Sequence, residues 1–167
     1  ERALEFQEKA HKILGALPNK HHPDLAKSYH NLSTIYQALG QPERALEFQE
    51  KAIKIRETVL DKNHPDLALS YYNLSSIYLS MGKFEEALEY QEKALRIIEK
   101  SLPENHPFAA DSYINLALIL KSVGRLDEAL DSGKKGVEIL KKLLPGDNPR
   151  LKSAKEFVGL IRSILGK

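Results

Sequence analysis

The side chains with the widest chemical repertoire in this sequence are its six histidines and a set of regularly spaced asparagines. Imidazole ligates metals and moves protons, so histidine spacing decides the first question. His22, His64 and His106 stand 42 residues apart, which places them on successive repeats rather than around one ion. His21, His22 and His30 are near one another in sequence, but no acidic pair or helical His-x-x-x-His spacing accompanies them. The absence of cysteine removes thiol nucleophiles, disulfides and Cys-based zinc sites. Glutamate pairs such as Glu85–Glu86 fall on solvated faces with lysine partners at i,i+4 spacing, and no glycine-rich phosphate loop follows a strand. The expectation is no catalysis, no metal and no cofactor. What remains is binding chemistry. Asn31, Asn73 and Asn115 recur once per 42 residues. An amide both donates and accepts, so a ladder of them can grip an extended peptide backbone or tie one helix to the next.

The elements that carry these residues are set by an internal repeat. Residues 22 to 63, 64 to 105 and 106 to 147 align without gaps, each opening with His-Pro, and the last 20 residues begin a fourth block at Asn148-Pro149. Each block is punctuated as two helices. Pro23, Pro65, Pro107 and Pro149 stand at helix starts, where a fixed φ helps and the missing N–H costs nothing, with His22, His64, His106 and Asn148 as N-caps. Gly40, Gly82 and Gly124 end the first helix. The second is expected from about Glu43, Glu85 and Asp127 to the Leu60, Leu102 and Leu144 region. Apolar residues recur at helical spacing, as in Leu67, Tyr71, Leu74, Ile77, Tyr78 and Met81. Small residues mark close helix approach: Ser33, Ser75 and Ala117 in the first helix, Ala45, Ala87 and Ala129 in the second. One hairpin cannot bury both its faces, so neighbours must stack. The predicted fold is all-α, an α-solenoid of antiparallel hairpins with a 42-residue period.

Composition excludes several classes. Among 167 residues, 25 Lys and Arg against 23 Asp and Glu leave no basic arm for nucleic acid. No apolar run approaches the roughly 20 residues that span a bilayer. A soluble, cytoplasmic protein is expected.

The segment from Asn73-Leu74 through Gly82, Ala87-Leu88 and Ala94 resembles the tetratricopeptide repeat, whose alternation of small and large residues it matches. The 42-residue unit with its HPDLA opening is similar to the long-helix variant found in kinesin light chains. That resemblance implies a right-handed superhelix whose first helices line a concave, peptide-binding groove. Carried onto this sequence, the lining is Lys27, His30, Asn31, Thr34 and Gln37 in block one. Block two contributes Leu69, Tyr72, Asn73, Ser76 and Leu79, and block three Asp111, Ile114, Asn115, Leu118 and Lys121. The middle of this groove is aromatic and aliphatic, which favours a peptide with apolar anchors over an acidic tail.

The ends differ from the middle. Residues 1 to 21 read as a second helix without its first, with Leu4, Phe6, Ile13, Leu14 and Leu17 on an apolar face, as expected of an array cut at its front or dimerising there. Residues 148 to 167 read as a capping helix, because Lys155, Gly159 and Arg162 stand where Tyr71, Ser75 and Tyr78 stand in block two. Phe157, Leu160 and Ile164 replace Asn73, Ser76 and Ser80, either buried by a tilt of the cap or forming an apolar patch for a partner or a second copy. Gly133 and Gly136 interrupt the second helix of block three. Gly136 falls at a close-contact position. Gly133 has no evident reason, so this helix is expected to be the softest.

Overall fold

The computed structural model describes residues 5, 7–9, 12 and 22–166. Seven helices run from Pro23 to Ile164: α1 (Pro23–Ala38), α2 (Pro42–Val59), α3 (Pro65–Ser80), α4 (Phe84–Ser101), α5 (Pro107–Ser122), α6 (Leu126–Leu143) and α7 (Pro149–Ile164). The odd-numbered helices are the first helices of the repeats. Their starts explain the recurring histidine. His22 Nδ1 accepts from the Asp24 N–H at 3.2 Å, His64 Nδ1 from Asp66 at 3.1 Å and His106 Nδ1 from Phe108 at 3.1 Å. Asn148 Oδ1 does the same for Arg150 at 3.0 Å. Each side chain satisfies an orphan N–H of the first turn, so three of the histidines are caps. At the other end, Gly40, Gly82 and Gly124 have φ of 69°, 73° and 81°, a left-handed conformation that a side chain would strain. The second helices begin one residue earlier than expected, at Pro42, Phe84 and Leu126, without a side-chain cap.

Within each hairpin the small residues bring two backbones together. Ser33 Oγ donates to the Ala45 carbonyl at 2.8 Å, and Ser75 Oγ to the Ala87 carbonyl at 2.7 Å. Ala117 and Ala129 make the third approach without a hydrogen bond, both fully buried. Each second helix also packs on the first helix of the next repeat: α2 on α3, α4 on α5, α6 on α7. The apolar interior is continuous from Leu67 in α3 to Ile161 in α7. This is an α-solenoid, whose core exists only because repeats stack.

A polar rung crosses these junctions. Gln7 Nε2 donates to Ser28 Oγ at 3.0 Å, Gln49 Nε2 to the Ser70 carbonyl at 2.9 Å and Gln91 Nε2 to the Ser112 carbonyl at 2.9 Å. In the next register, Gly133 and Ala154 replace glutamine and serine. Gly133 therefore does have a reason. A Cβ there would meet Val158 Cγ2 of α7 at 2.8 Å, so the glycine makes room for the last helix. Gly136 similarly makes room for Ile114, whose Cδ1 and Cγ1 would each lie 2.8 Å from an added Cβ.

Of the N-terminal segment, Leu4, Phe6, Ile13, Leu14 and Leu17 lie outside the described residues. Gln7 and Glu8 face α1, where Tyr36 Oη donates to Glu8 Oε1 at 2.9 Å. In α7, Lys155, Gly159 and Arg162 are exposed. The three apolar residues of its other face divide. Phe157 packs against the core, whereas Leu160 and Ile164 stay 51% and 52% exposed.

Candidate peptide-binding surface

The positions expected to line the groove are on the first helices but do not share one fate. Lys27 and Thr34 are exposed, and Thr34 Oγ1 donates back to the His30 carbonyl at 3.1 Å. Gln37 Nε2 reaches Ser76 Oγ at 3.1 Å, linking α1 to α3. Asn31, Leu69, Leu79 and Lys121 are half-buried. Two of the recurring asparagines, Asn73 and Asn115, turn toward the preceding repeat. Asn73 Nδ2 lies 3.3 Å from His30 Nδ1, and Asn115 Nδ2 donates to Gln91 Oε1 at 2.7 Å. Both amide groups thus tie adjacent repeats together.

His30 belongs to a polar junction between the first two repeats. Burial, and then the nearby Arg56 guanidinium, push its imidazole below the ordinary histidine range; Gln49 and Asp66 act in the opposite sense. Arg56 is itself only 7% exposed. It donates to the Asp66 carbonyl at 3.1 Å and to Ser70 Oγ.

Five of the expected residues do converge. Tyr72, Asp111, Ile114, Asn115 and Leu118 line one pocket of about 460 Å³, together with Leu140 and, from α7, Arg150, Ser153, Ala154 and Phe157. Its floor is apolar: Ile114, Leu118, Leu140 and Phe157. Its rim is polar, with Asp111 paired to Arg150 across from α5 to α7. The Tyr72 ring stands edge-on to Phe108 at 5.4 Å between centroids. Burial pushes the Tyr72 hydroxyl up, and the positive charge of Arg150 partly opposes this. None of the five block-one positions lines this pocket, nor do Leu69, Asn73, Ser76, Leu79 and Lys121.

Leu140, Arg150, Ser153 and Ala154 were missed by reading the sequence. The signal was present: Ser153 falls in the register of Lys27, Leu69 and Asp111, and continuing the period into the fourth block names it. A second cavity of about 440 Å³ lies between α4 and α6, where Glu99, Glu104 and Glu138 face Lys135 and Lys142. Those charges offset one another and select no ligand sign.

Comparison with known proteins agrees with the fold. The tetratricopeptide repeat model matches residues 1–58, 45–100 and 66–142. Among solved structures, the chain is similar to the nearly identical TPR-like repeats described as kinesin light chain from Podosopora anserina. Identity is 28% and the TM-score 0.84, over 99% of this chain and 78% of that one. BtubC (BKLC) from P. vanneervenii is similar at 25% identity and a TM-score of 0.88, covering 99% of this chain and 66% of that one. The apo form of RapI, at 16% identity and a TM-score of 0.82 over 96% and 56% of the two chains, shares the fold. No curated protein sequence matches. The chain belongs to the tetratricopeptide repeat family.

Proposed function

We propose that this chain is a protein-interaction scaffold that holds a short segment of a partner and seats an apolar side chain of it between α5 and α7. The observation that carries this reading is the pocket floor. Leu118 remains 39% exposed and lines the floor with Ile114, Leu140 and Phe157, inside a rim of Asp111, Arg150, Asn115 and Ser153. Apolar floors with a few polar rim groups suit a leucine-, isoleucine- or phenylalanine-sized anchor flanked by a peptide backbone. The rim pair Asp111–Arg150 offers one acceptor and one donor set to groups beside that anchor. The repeat family supports protein partners in general; the anchor and its place are the finer claim. The test is a peptide-display selection followed by titration of the winning sequence. Enrichment of one apolar anchor and a loss of at least tenfold in affinity for Leu118→Asp are expected. A selected peptide indifferent to Leu118→Asp sinks the assignment.

A second reading is favoured by Leu160 and Ile164, which continue the same side of α7 beyond the pocket. They form the contact of a self-associating module. Light scattering over a concentration series separates the two readings, because a strict monomer rejects self-association.

A further inference from the structure

The opposite face of α7 carries a different message. In each preceding repeat, the first helix presents this face to its own second helix. Tyr71 and Tyr78 flank Tyr90, with ring centroids 6.0 and 5.6 Å from it, and Ser75 touches Ala87 between them. The corresponding residues of α7 are Lys155, Arg162 and Gly159, and a Cβ added at Gly159 meets nothing within 4 Å. Mid-helix glycine costs up to about 1 kcal/mol relative to alanine. No packing within the described residues explains it. It occupies the position of closest helix approach, and among the described residues nothing lies within 4 Å of a Cβ placed there.

The adjoining wall of the groove inverts its charges. The outer face of α2 reads Glu50, Lys54, Glu57 and that of α4 reads Glu92, Arg96, Glu99; the same three positions of α6 are Lys134, Glu138 and Lys141. Tyr71 Oη donates to Glu57 and Tyr113 Oη to Glu99, each at 2.6 Å. At the last junction that tyrosine–glutamate pair becomes Lys155 and Lys141, two cations lining one groove. The groove holds about 390 Å³, with Val137 and Val158 along its floor. Lys134 shares its charge with Asp131 at 3.6 Å. Among the described residues no ion pair engages Lys141, Lys155 or Arg162. A face needed only for solubility is served by charges of either sign. Two carboxylates and two tyrosines are replaced by four cations while one cation becomes Glu138, and the positive balance that results is complementary to an anionic occupant.

We propose that the α6–α7 groove docks an acidic amphipathic helix of a partner protein, laid where a second helix lies in every repeat. Its small residue meets Gly159, and three residues later a carboxylate takes the place of Tyr90, between Lys155 and Arg162. Glu138 and the valine floor favour a helix over nucleic acid, since the groove offers no aromatic side chain for base stacking.

The probe is a helix-stabilised peptide with the sequence of residues 84–101 and Tyr90→Glu, compared with the same peptide carrying Tyr90→Lys. Fluorescence anisotropy against the 167-residue chain is expected to show at least tenfold tighter binding of the glutamate peptide. The Lys155→Glu/Arg162→Glu double variant is expected to reverse that preference. Gly159→Leu, which fills the approach position, is expected to abolish binding of both without lowering the thermal midpoint. Equal affinity of the two peptides overturns the proposal, as does binding that survives Gly159→Leu. An oligonucleotide that binds this groove more tightly than the glutamate peptide also overturns it. So does self-association that disappears in the double variant, because the occupant is then a second copy.

Discussion

The α2–α3 and α6–α7 junctions occupy the same place in the 42-residue period and differ in nearly every side chain that fills them. Between the first two repeats stand His30, Gln49, Arg56, Ser70 and Asn73, hydrogen-bonded across three helices. Between the third repeat and α7 the same five positions are Ile114, Gly133, Leu140, Ala154 and Phe157. The middle junction is a mixture: Tyr72, Gln91, Ile98, Ser112 and Asn115. One period thus carries a gradient from polar to apolar. The fold requires shape at these positions, and the chemistry is left to vary. Polar junctions fix register, because every donor must find its acceptor, but they gain little net stability for the desolvation they require. The apolar junction has no such register lock. It borders the pocket where Leu118 stays exposed.

The largest expected effect falls on the apolar side. Leu140 is 2% exposed within the continuous core, so Leu140→Ala should cost about 3 kcal/mol by urea unfolding. A cost under about 1 kcal/mol shows that this junction is loosely packed.

Glycine substitutions sharpen the same contrast. Gly133→Ala drives a Cβ into Val158 and should destabilise by about 1–3 kcal/mol despite the better helix former. Gly159→Ala meets open space and should stabilise by about 0.5–1 kcal/mol. The same chemical change therefore moves the thermal midpoint in opposite directions. Two shifts of one sign contradict the assigned roles.

The polar junction is expected to be the pH-sensitive one. His30 is held below the ordinary value of 6.5 in the folded chain, so it stays neutral there while the unfolded chain takes up a proton. More protons on the unfolded state means that stability falls as pH falls through about 6.5 toward the depressed folded value. Above 6.5 the histidine contributes no slope. His30→Tyr, which installs the residue of the next repeat, should flatten that part of the stability–pH curve. An unchanged slope removes His30 as its source.

The smallest effect separates two serines in one register. Ser70 Oγ accepts from Arg56, whereas Ser112 Oγ is buried without a hydrogen-bond partner and Ile98 stands at the position of Arg56. Ser70→Ala should cost about 1–2 kcal/mol, and Ser112→Ala should be neutral or gain up to about 1 kcal/mol. Ala154 already stands at that position in α7.

Much of this architecture is legible in the sequence because its causes are local. His-Pro at a helix start, glycine at its end and alanine facing serine each act within a turn or across one hairpin. What escapes is set across junctions. Gly133 makes sense only against Val158, 25 residues later in the next helix. Asn73 and Asn115 are visible as a ladder, but their direction depends on His30 and Gln91 of the preceding repeat. Arg150 enters the pocket rim through Asp111, 39 residues earlier. The groove drawn from the first helices alone held five of the pocket's residues and lacked most of the wall that α7 supplies.

The central claim, an apolar anchor held between α5 and α7, is tested most directly by covalent capture. A selected peptide with photo-leucine at its anchor position is irradiated on the protein and the adducts are mapped by mass spectrometry. Adducts on Ile114, Leu118 or Phe157 are predicted; adducts confined to α1 and α2 contradict the account.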